Sequence, residues 1–140
     1  MVRNYGFLVV LPEGGNFAKT NDMHPLVDDF NSYRTRMNDV ILEKDNLVIK
    51  RLWNLDTNTY ADGALDTKTK EMLGLVASMV LRCDDCIKYH LGKVHELGVN
   101  TAEVYEIFAV ANIVGGTIVI PHTRRAAEYW EVLQASPNDK

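Results

Sequence analysis

From Pro25 onward, apolar side chains recur at steps of three and four residues. Leu26, Phe30, Tyr33, Met37 and Val40/Ile41 form one stripe, with Asp28, Asp29, Arg34 and Arg36 off it, the spacing of an amphipathic helix. Pro25 suits its first turn, where no N–H is needed. A second helix is predicted over about Asn46–Ala61, with Val48, Leu52 and Leu55 on one side and Gly63 as its stop. Asp66 is the predicted N-cap of a third helix, which is apolar nearly all round from Glu71 to Leu81 and is therefore expected to be buried on most sides. A chain of 140 residues has limited room to surround such a helix, so contacts between subunits are expected. A fourth helix begins near Cys83 and ends at Gly98. A fifth, capped by Asn100 or Thr101, runs through Val104, Ile107, Phe108 and Ala111 to the Gly115-Gly116 break. The last spans Thr117 to about Gln134 and contains Pro121, Ala126, Ala127, Trp130 and Leu133.

Ahead of this pattern, Tyr5–Leu11 is an apolar run followed by Pro12-Glu13-Gly14-Gly15-Asn16. It reads as a short strand or an extended arm docked on the body or on a neighbouring subunit. Gly14-Gly15 lacks the following Gly-Lys-Ser/Thr of a phosphate loop and reads as a turn. No repeat or linker interrupts the remainder. The expected organisation is an N-terminal arm over 1–24 and a compact all-α domain of about six helices over 25–136, with a frayed polar tail from Ser136.

Composition narrows the function classes. Fifteen Lys and Arg against 19 Asp and Glu give a formal charge of −4, and no basic stripe appears, so nucleic acid is not an expected partner. No apolar run approaches the ~20 residues of a membrane helix, and Met1–Val10 is too short in apolar length for a secretory signal. A cytoplasmic location is the default expectation. There, two cysteines are more often catalytic or metal-binding than structural, and both fall within four residues.

Those residues read Cys83-Asp84-Asp85-Cys86-Ile87-Lys88-Tyr89-His90. If Cys83 opens a helix, Cys86 lies about one turn on and His90 about two, all within roughly 60° of arc. Along the axis His90 is about 6 Å from Cys86 and about 10 Å from Cys83, so the imidazole serves Cys86 first. The spacing also permits a disulfide within the first turn. Only a thiolate is a useful nucleophile, and the helix dipole adds just ~0.3–1 kcal/mol towards one. Asp84 and Asp85 oppose even that. A base is needed, and His90 is the candidate. Glu71, across a chain reversal near Arg82, is placed to hold the ring's other nitrogen.

Competing chemistries fit less well. Thioredoxin-type CxxC motifs sit in a βαβ context, and haem attachment needs His directly after the second Cys, where Ile87 stands. Zinc on Cys83, Cys86, His90 and His95 is the serious competitor, although His95 lies about 120° or more round the helix. His24, His95 and the Arg124-Arg125 pair read as surface residues. His122 lines a pocket or is structural, Tyr89 packs or donates, and Trp53 and Trp130 read as core or interface anchors.

Three segments together, Asp66-Thr67-Lys68-Thr69-Lys70-Glu71, the Cys83–His90 octapeptide, and Gly115-Gly116-Thr117-Ile118-Val119-Ile120-Pro121-His122, resemble the carboxymuconolactone decarboxylase family and, within it, the alkylhydroperoxidase D-like branch. The resemblance covers about Asn54 to Trp130. It implies an all-helical fold assembled as a homotrimer or homohexamer, with thiol peroxidase or disulfide reductase activity. It further implies a proton relay of Glu71, Cys83, Cys86 and His90, and electrons from a dithiol donor such as a lipoyl adaptor or thioredoxin. One departure stands out. Peroxidases of the branch carry a His in the relay just before the second Cys, where this chain has Asp85. The lactone decarboxylases that lend the family its name lack the cysteine pair.

The expected function is thus a cofactor-free thiol peroxidase or disulfide oxidoreductase acting on a peroxide or disulfide, in which Cys86 attacks and Cys83 resolves, with the reverse assignment of the two cysteines left open. Reductant is expected to enter at the more accessible sulfur, taken to be Cys83. The alternatives are a redox-independent decarboxylase or isomerase on a small acid using Glu71 and His90, and a zinc-stabilised interaction module.

Overall fold

A computed structural model describes residues 24–135; the expected arm up to residue 23 and the tail from Ser136 lie outside it. Six α-helices follow one another: α1 (Pro25–Leu42), α2 (Leu47–Tyr60), α3 (Thr67–Val80), α4 (Asp84–Glu96), α5 (Thr101–Gly115) and α6 (Ile120–Ala135), with a 3-10 turn at Thr117–Val119. No strand occurs among the described residues. The fold is all-α.

Local chemistry explains where most helices start. Asn46 Oδ1 accepts from the N–H groups of Val48 and Ile49 at 3.0 and 3.1 Å, and Asp66 Oδ1 accepts from Thr69 at 2.7 Å. These are the orphan donors of a first turn. Asn100 and Glu103 cap each other's backbone N–H at 3.0 and 2.8 Å, a reciprocal capping box. His24 does more than sit on the surface: its Nδ1 accepts from Leu26 N–H at 3.2 Å and caps α1, with Pro25 in the first turn. The last helix starts three residues later than the hydrophobic pattern suggests. Gly116 adopts φ 77°, and the chain makes a 3-10 turn before α6 takes over with Pro121 in its first turn.

The reversal between α3 and α4 matters most for the site. Arg82 takes φ 61°, a left-handed conformation that costs a non-glycine residue about 1–2 kcal/mol. The Cys83 N–H donates to Ser78 O at 3.0 Å, and Arg82 N–H to Met79 O at 3.0 Å, so the carbonyls at the end of α3 are satisfied as the chain turns. The result is a hairpin in which α3 packs along α4 and α5, while α6 closes over α4.

The core lies between these four helices. Leu75, Met79, Ile87, Leu91, Val94, Val104, Phe108, Ala111 and Trp130 are buried there, and the Trp130 indole N–H donates to Thr101 Oγ1 at 3.1 Å. Helix α1 joins through Val27 and through Phe30, which meets Tyr129 edge-to-face at 6.1 Å. None of the residues of α2 is buried. Burial of α3 is one-sided, contrary to its all-round apolar sequence. Its α4- and α5-facing residues are enclosed, whereas Leu73, Ala77 and Leu81 are exposed, because α4 and α5 both pack on one half of its circumference.

Candidate active site at the start of α4

Cys83 and Cys86 are joined in a disulfide with their Cα atoms 5.3 Å apart. Cys83 is the N-cap of α4, and its Sγ accepts from the Cys86 N–H at 3.3 Å. The pair therefore occupies the end of the helix where backbone donors converge on a negative charge.

Beneath it, the hairpin brings α3 and α4 face to face. Glu71 Oε2 lies 2.7 Å from His90 Nδ1, with Glu71 only 3% and His90 only 7% exposed. A carboxylate accepts, so Nδ1 carries the proton and Nε2 keeps its lone pair. Nε2 has no hydrogen-bond partner among the described residues, and His90 forms part of the wall of a pocket that also holds Cys86. With Nδ1 held by Glu71, Nε2 is the ring's remaining site for a proton, and Glu71 stabilises the resulting cation.

Gly74 makes this arrangement possible. A Cβ there would stand 2.6 Å from His90 Cε1, 2.9 Å from His90 Nδ1 and 2.7 Å from the Tyr60 hydroxyl. The imidazole lies directly on the bare backbone of α3. Two more aromatics confine it: the rings of Tyr60 from α2 and Tyr89 from α4 lie 5.4 and 5.2 Å away. Burial, reinforced by the Glu71 charge, pushes both phenols up, so they stay neutral donors at physiological pH.

The pocket, about 300 Å³, is walled by Phe30 and Arg34 of α1, Asp56 of α2, and Asp85, Cys86, Tyr89 and His90 of α4. The Arg34 guanidinium stacks on the Tyr89 ring at 4.3 Å. Cys86 is exposed on this wall, whereas Cys83 is half-buried. Accessibility thus runs opposite to the expectation that Cys83 is the more open sulfur. The N-cap residue is tucked into the α3–α4 turn, and the residue one turn on points outward.

On the far side of α4, Asp84 is tied to α6. His122 Nδ1 lies 2.7 Å from Asp84 Oδ1, and Arg125 reaches Asp84 Oδ2 at 3.0 Å. Burial raises the Asp84 carboxyl, but the His122 and Arg125 hydrogen bonds outweigh it and hold the group below its ordinary value. Arg125 is thus not part of a free solvated face, and of the two aspartates between the cysteines only Asp85 lacks an ion-pair partner among the described residues.

A profile of the carboxymuconolactone decarboxylase family matches residues 47–129. The chain belongs to this family. Two crystal structures of one family relative, TM1620 of Thermotoga maritima, are similar to it. They share 48% and 47% identity over 76% of this chain and 94% and 90% of theirs, with TM-scores of 0.75 and 0.73. The description of that protein names an antioxidative response as a candidate role. A Legionella pneumophila family protein, apo-lpg0406, shares the fold at 22% identity, with a TM-score of 0.72 over 81% of this chain and all of its own. No curated protein matches the chain.

The Cys83–Cys86 disulfide fits the alkylhydroperoxidase D-like branch of the carboxymuconolactone decarboxylase family. Of the pocket's walls, Phe30 and Arg34 lie outside the matched residues, so α1 supplies a side of the site that the family pattern does not cover.

The four candidate zinc ligands, Cys83, Cys86, His90 and His95, do not gather. His95 is half-buried with its ring edge-to-face on Trp130 at 5.6 Å, rather than a plain surface residue, and no metal-ligating cluster occurs among the described residues. Trp130 is a core anchor and Trp53 is half-buried. Sequence reasoning passed over Gly74, Tyr60, Phe30, Arg34 and Asp56. Only Gly74 had a local signal: a glycine inside a strong helix, one turn after Glu71, marks a close approach. No helix among the described residues is long and apolar enough to cross a membrane.

Proposed function

We propose that this protein is a thiol oxidoreductase of the peroxidase and disulfide-exchange type, with Cys83 and Cys86 as its redox pair and Glu71 and His90 as its proton relay. The observation that carries this reading is the buried Glu71–His90 pair, whose imidazole lines the pocket where Cys86 is exposed.

In the reduced protein, His90 takes the Cys86 proton and Glu71 stabilises the imidazolium. The Cys86 thiolate attacks one peroxide oxygen and the O–O bond breaks. The departing oxygen receives the proton from His90, leaving an alcohol or water and a Cys86 sulfenic acid. Cys83 attacks that sulfur, expelling water and forming the disulfide before further oxidation. An external dithiol, on a lipoyl adaptor or a thioredoxin-like protein, then attacks the exposed Cys86 sulfur and releases Cys83 as a thiolate. The dithiol's second sulfur displaces Cys86 and completes the two-electron reduction. No step needs a metal or organic cofactor. Asp85 supplies no imidazole on the pocket wall, which favours exchange with disulfides over rapid peroxide cleavage. The reading includes a cytoplasmic, homotrimeric or homohexameric protein with a separate N-terminal arm.

The test is peroxide-dependent oxidation of dihydrolipoamide by the purified protein. Cys86→Ala is expected to abolish it, and Cys83→Ala to leave a sulfenic acid trappable by dimedone. Full turnover in Cys86→Ala refutes the assignment. Activity on a small carboxylic acid that persists in the Cys83→Ser/Cys86→Ser double variant points instead to acid–base chemistry by Glu71 and His90.

A further inference from the structure

Two carboxylate–imidazole pairs flank the first turns of α4, and the mechanism above uses only one. Glu71–His90 serves the pocket side. The other, Asp84–His122 with Arg125, ties the residue immediately after Cys83 to α6. We propose that Asp84, His122 and Arg125 form a charge clamp that positions Cys83 and governs how readily it leaves as a thiolate when the disulfide is reduced. This inference rests on the thiol-redox reading.

Cys83 is the half-buried sulfur at the N-cap, already accepting the Cys86 N–H, so an attack on Cys86 expels it into a site built around an anion. A free Asp84 carboxylate one residue away would oppose that charge. The structure turns Asp84 onto α6 instead. One oxygen accepts from His122 Nδ1–H and the other from Arg125. Arg125 also lies 2.9 Å from His122 Nδ1, but two donors cannot bond each other, so the Asp84 carboxylate is the shared acceptor. The other charged or titratable groups around Cys83 and Asp84 are Arg82, next to Cys83 in the chain, Asp85, Tyr89 and His90 on α4, Glu71 on α3, and Arg34 and Asp56 across the pocket. The clamp alone neutralises a charge adjacent to Cys83. Asp84, His122 and Arg125 are therefore positioning residues.

The reduction can be written with dithiothreitol as the probe. Its thiolate attacks Cys86 Sγ, and the electron pair of the broken S–S bond goes to Cys83. Its second thiol then displaces Cys86, leaving a cyclic disulfide and two protein thiols. Two measurements test the clamp: the dithiothreitol redox equilibrium of the full chain, and the iodoacetamide rate of Cys83 against pH in Cys86→Ser. Arg125→Gln is expected to raise the Cys83 pKa by about half a unit and, at a pH above that pKa where reduced Cys83 is a thiolate, to shift the equilibrium about threefold towards the disulfide. Arg125→Lys should restore most of both. Asp84→Asn should lower the pKa, whereas a purely mechanical tie would raise it or leave it alone. Unchanged values in Arg125→Gln, or a pKa that fails to fall in Asp84→Asn, overturn the clamp while the wild-type chain still exchanges normally. A wild-type disulfide that does not exchange with dithiothreitol at all would sink the redox reading, and the clamp with it. Melting curves establish that each variant is folded, and Asp84→Asn remains decisive if Arg125→Gln is not.

Discussion

Replacing Gly74 with alanine adds one methyl group where the structure has no space for it. The new Cβ would meet His90 Cε1 at 2.6 Å, so the ring must retreat by roughly 0.8 Å to reach ordinary contact. Retreat along the line to Glu71 is blocked, because that hydrogen bond is already 2.7 Å long. Retreat away from it stretches the bond to about 3.5 Å, beyond useful length. The energies oppose one another. Alanine in a helix interior gains ~1 kcal/mol over glycine. Overpacking costs ~1–3 kcal/mol, and losing a hydrogen bond to a charged group ~1.5–3 kcal/mol. The net is a destabilisation of about 1.5–5 kcal/mol, with His90 displaced from its proton-accepting position. Gly92→Ala is the matched control, since a Cβ there meets nothing within 4 Å and the substitution should stabilise by up to ~1 kcal/mol. Urea unfolding reads stability, and peroxide-dependent dithiol oxidation reads function, with at least a tenfold fall expected for Gly74→Ala. If the two variants unfold at the same urea concentration and both turn over at the wild-type rate, the packing argument is wrong.

Other consequences are more local. Glu71→Gln keeps an acceptor for His90 Nδ1 but removes the charge, so turnover should fall about tenfold or more while thermal stability changes little; an unaltered pH–rate profile would count against the relay. Asn100→Ala removes the cap of α5 and should cost ~1 kcal/mol, read as a fall of about 3–6 °C in Tm. At alkaline pH the buried Tyr129 enters. Burial pushes its phenol up to about 12, so the folded chain keeps a proton that the unfolded chain loses near ~10. Stability from this group is complete below pH ~10 and declines by up to ~1.4 kcal/mol per pH unit until the folded phenol also ionises. Tyr129→Phe should flatten that part of the denaturation curve, and an identical alkaline slope in both proteins would exclude the effect.

The amino-acid order alone determined what depends on neighbours within one or two turns. The helices follow from apolar spacing, their starts from Asn46, Asp66 and Asn100, and the meeting of Cys83 and Cys86 from a three-residue step at a helix start. Glu71 could be set opposite His90 because a tight reversal at Arg82 leaves an antiparallel hairpin few registers to choose from. The pocket wall from α1 and α2, the resting of His90 on Gly74, the one-sided burial of α3 and the hold of α6 on Asp84 all required the packed molecule. These depend on the angles and distances at which helices cross, which the summed packing of many side chains decides. Asp84 illustrates the difference. In the chain it is a negative charge beside a cysteine; in the fold, a cation 41 residues further on neutralises it.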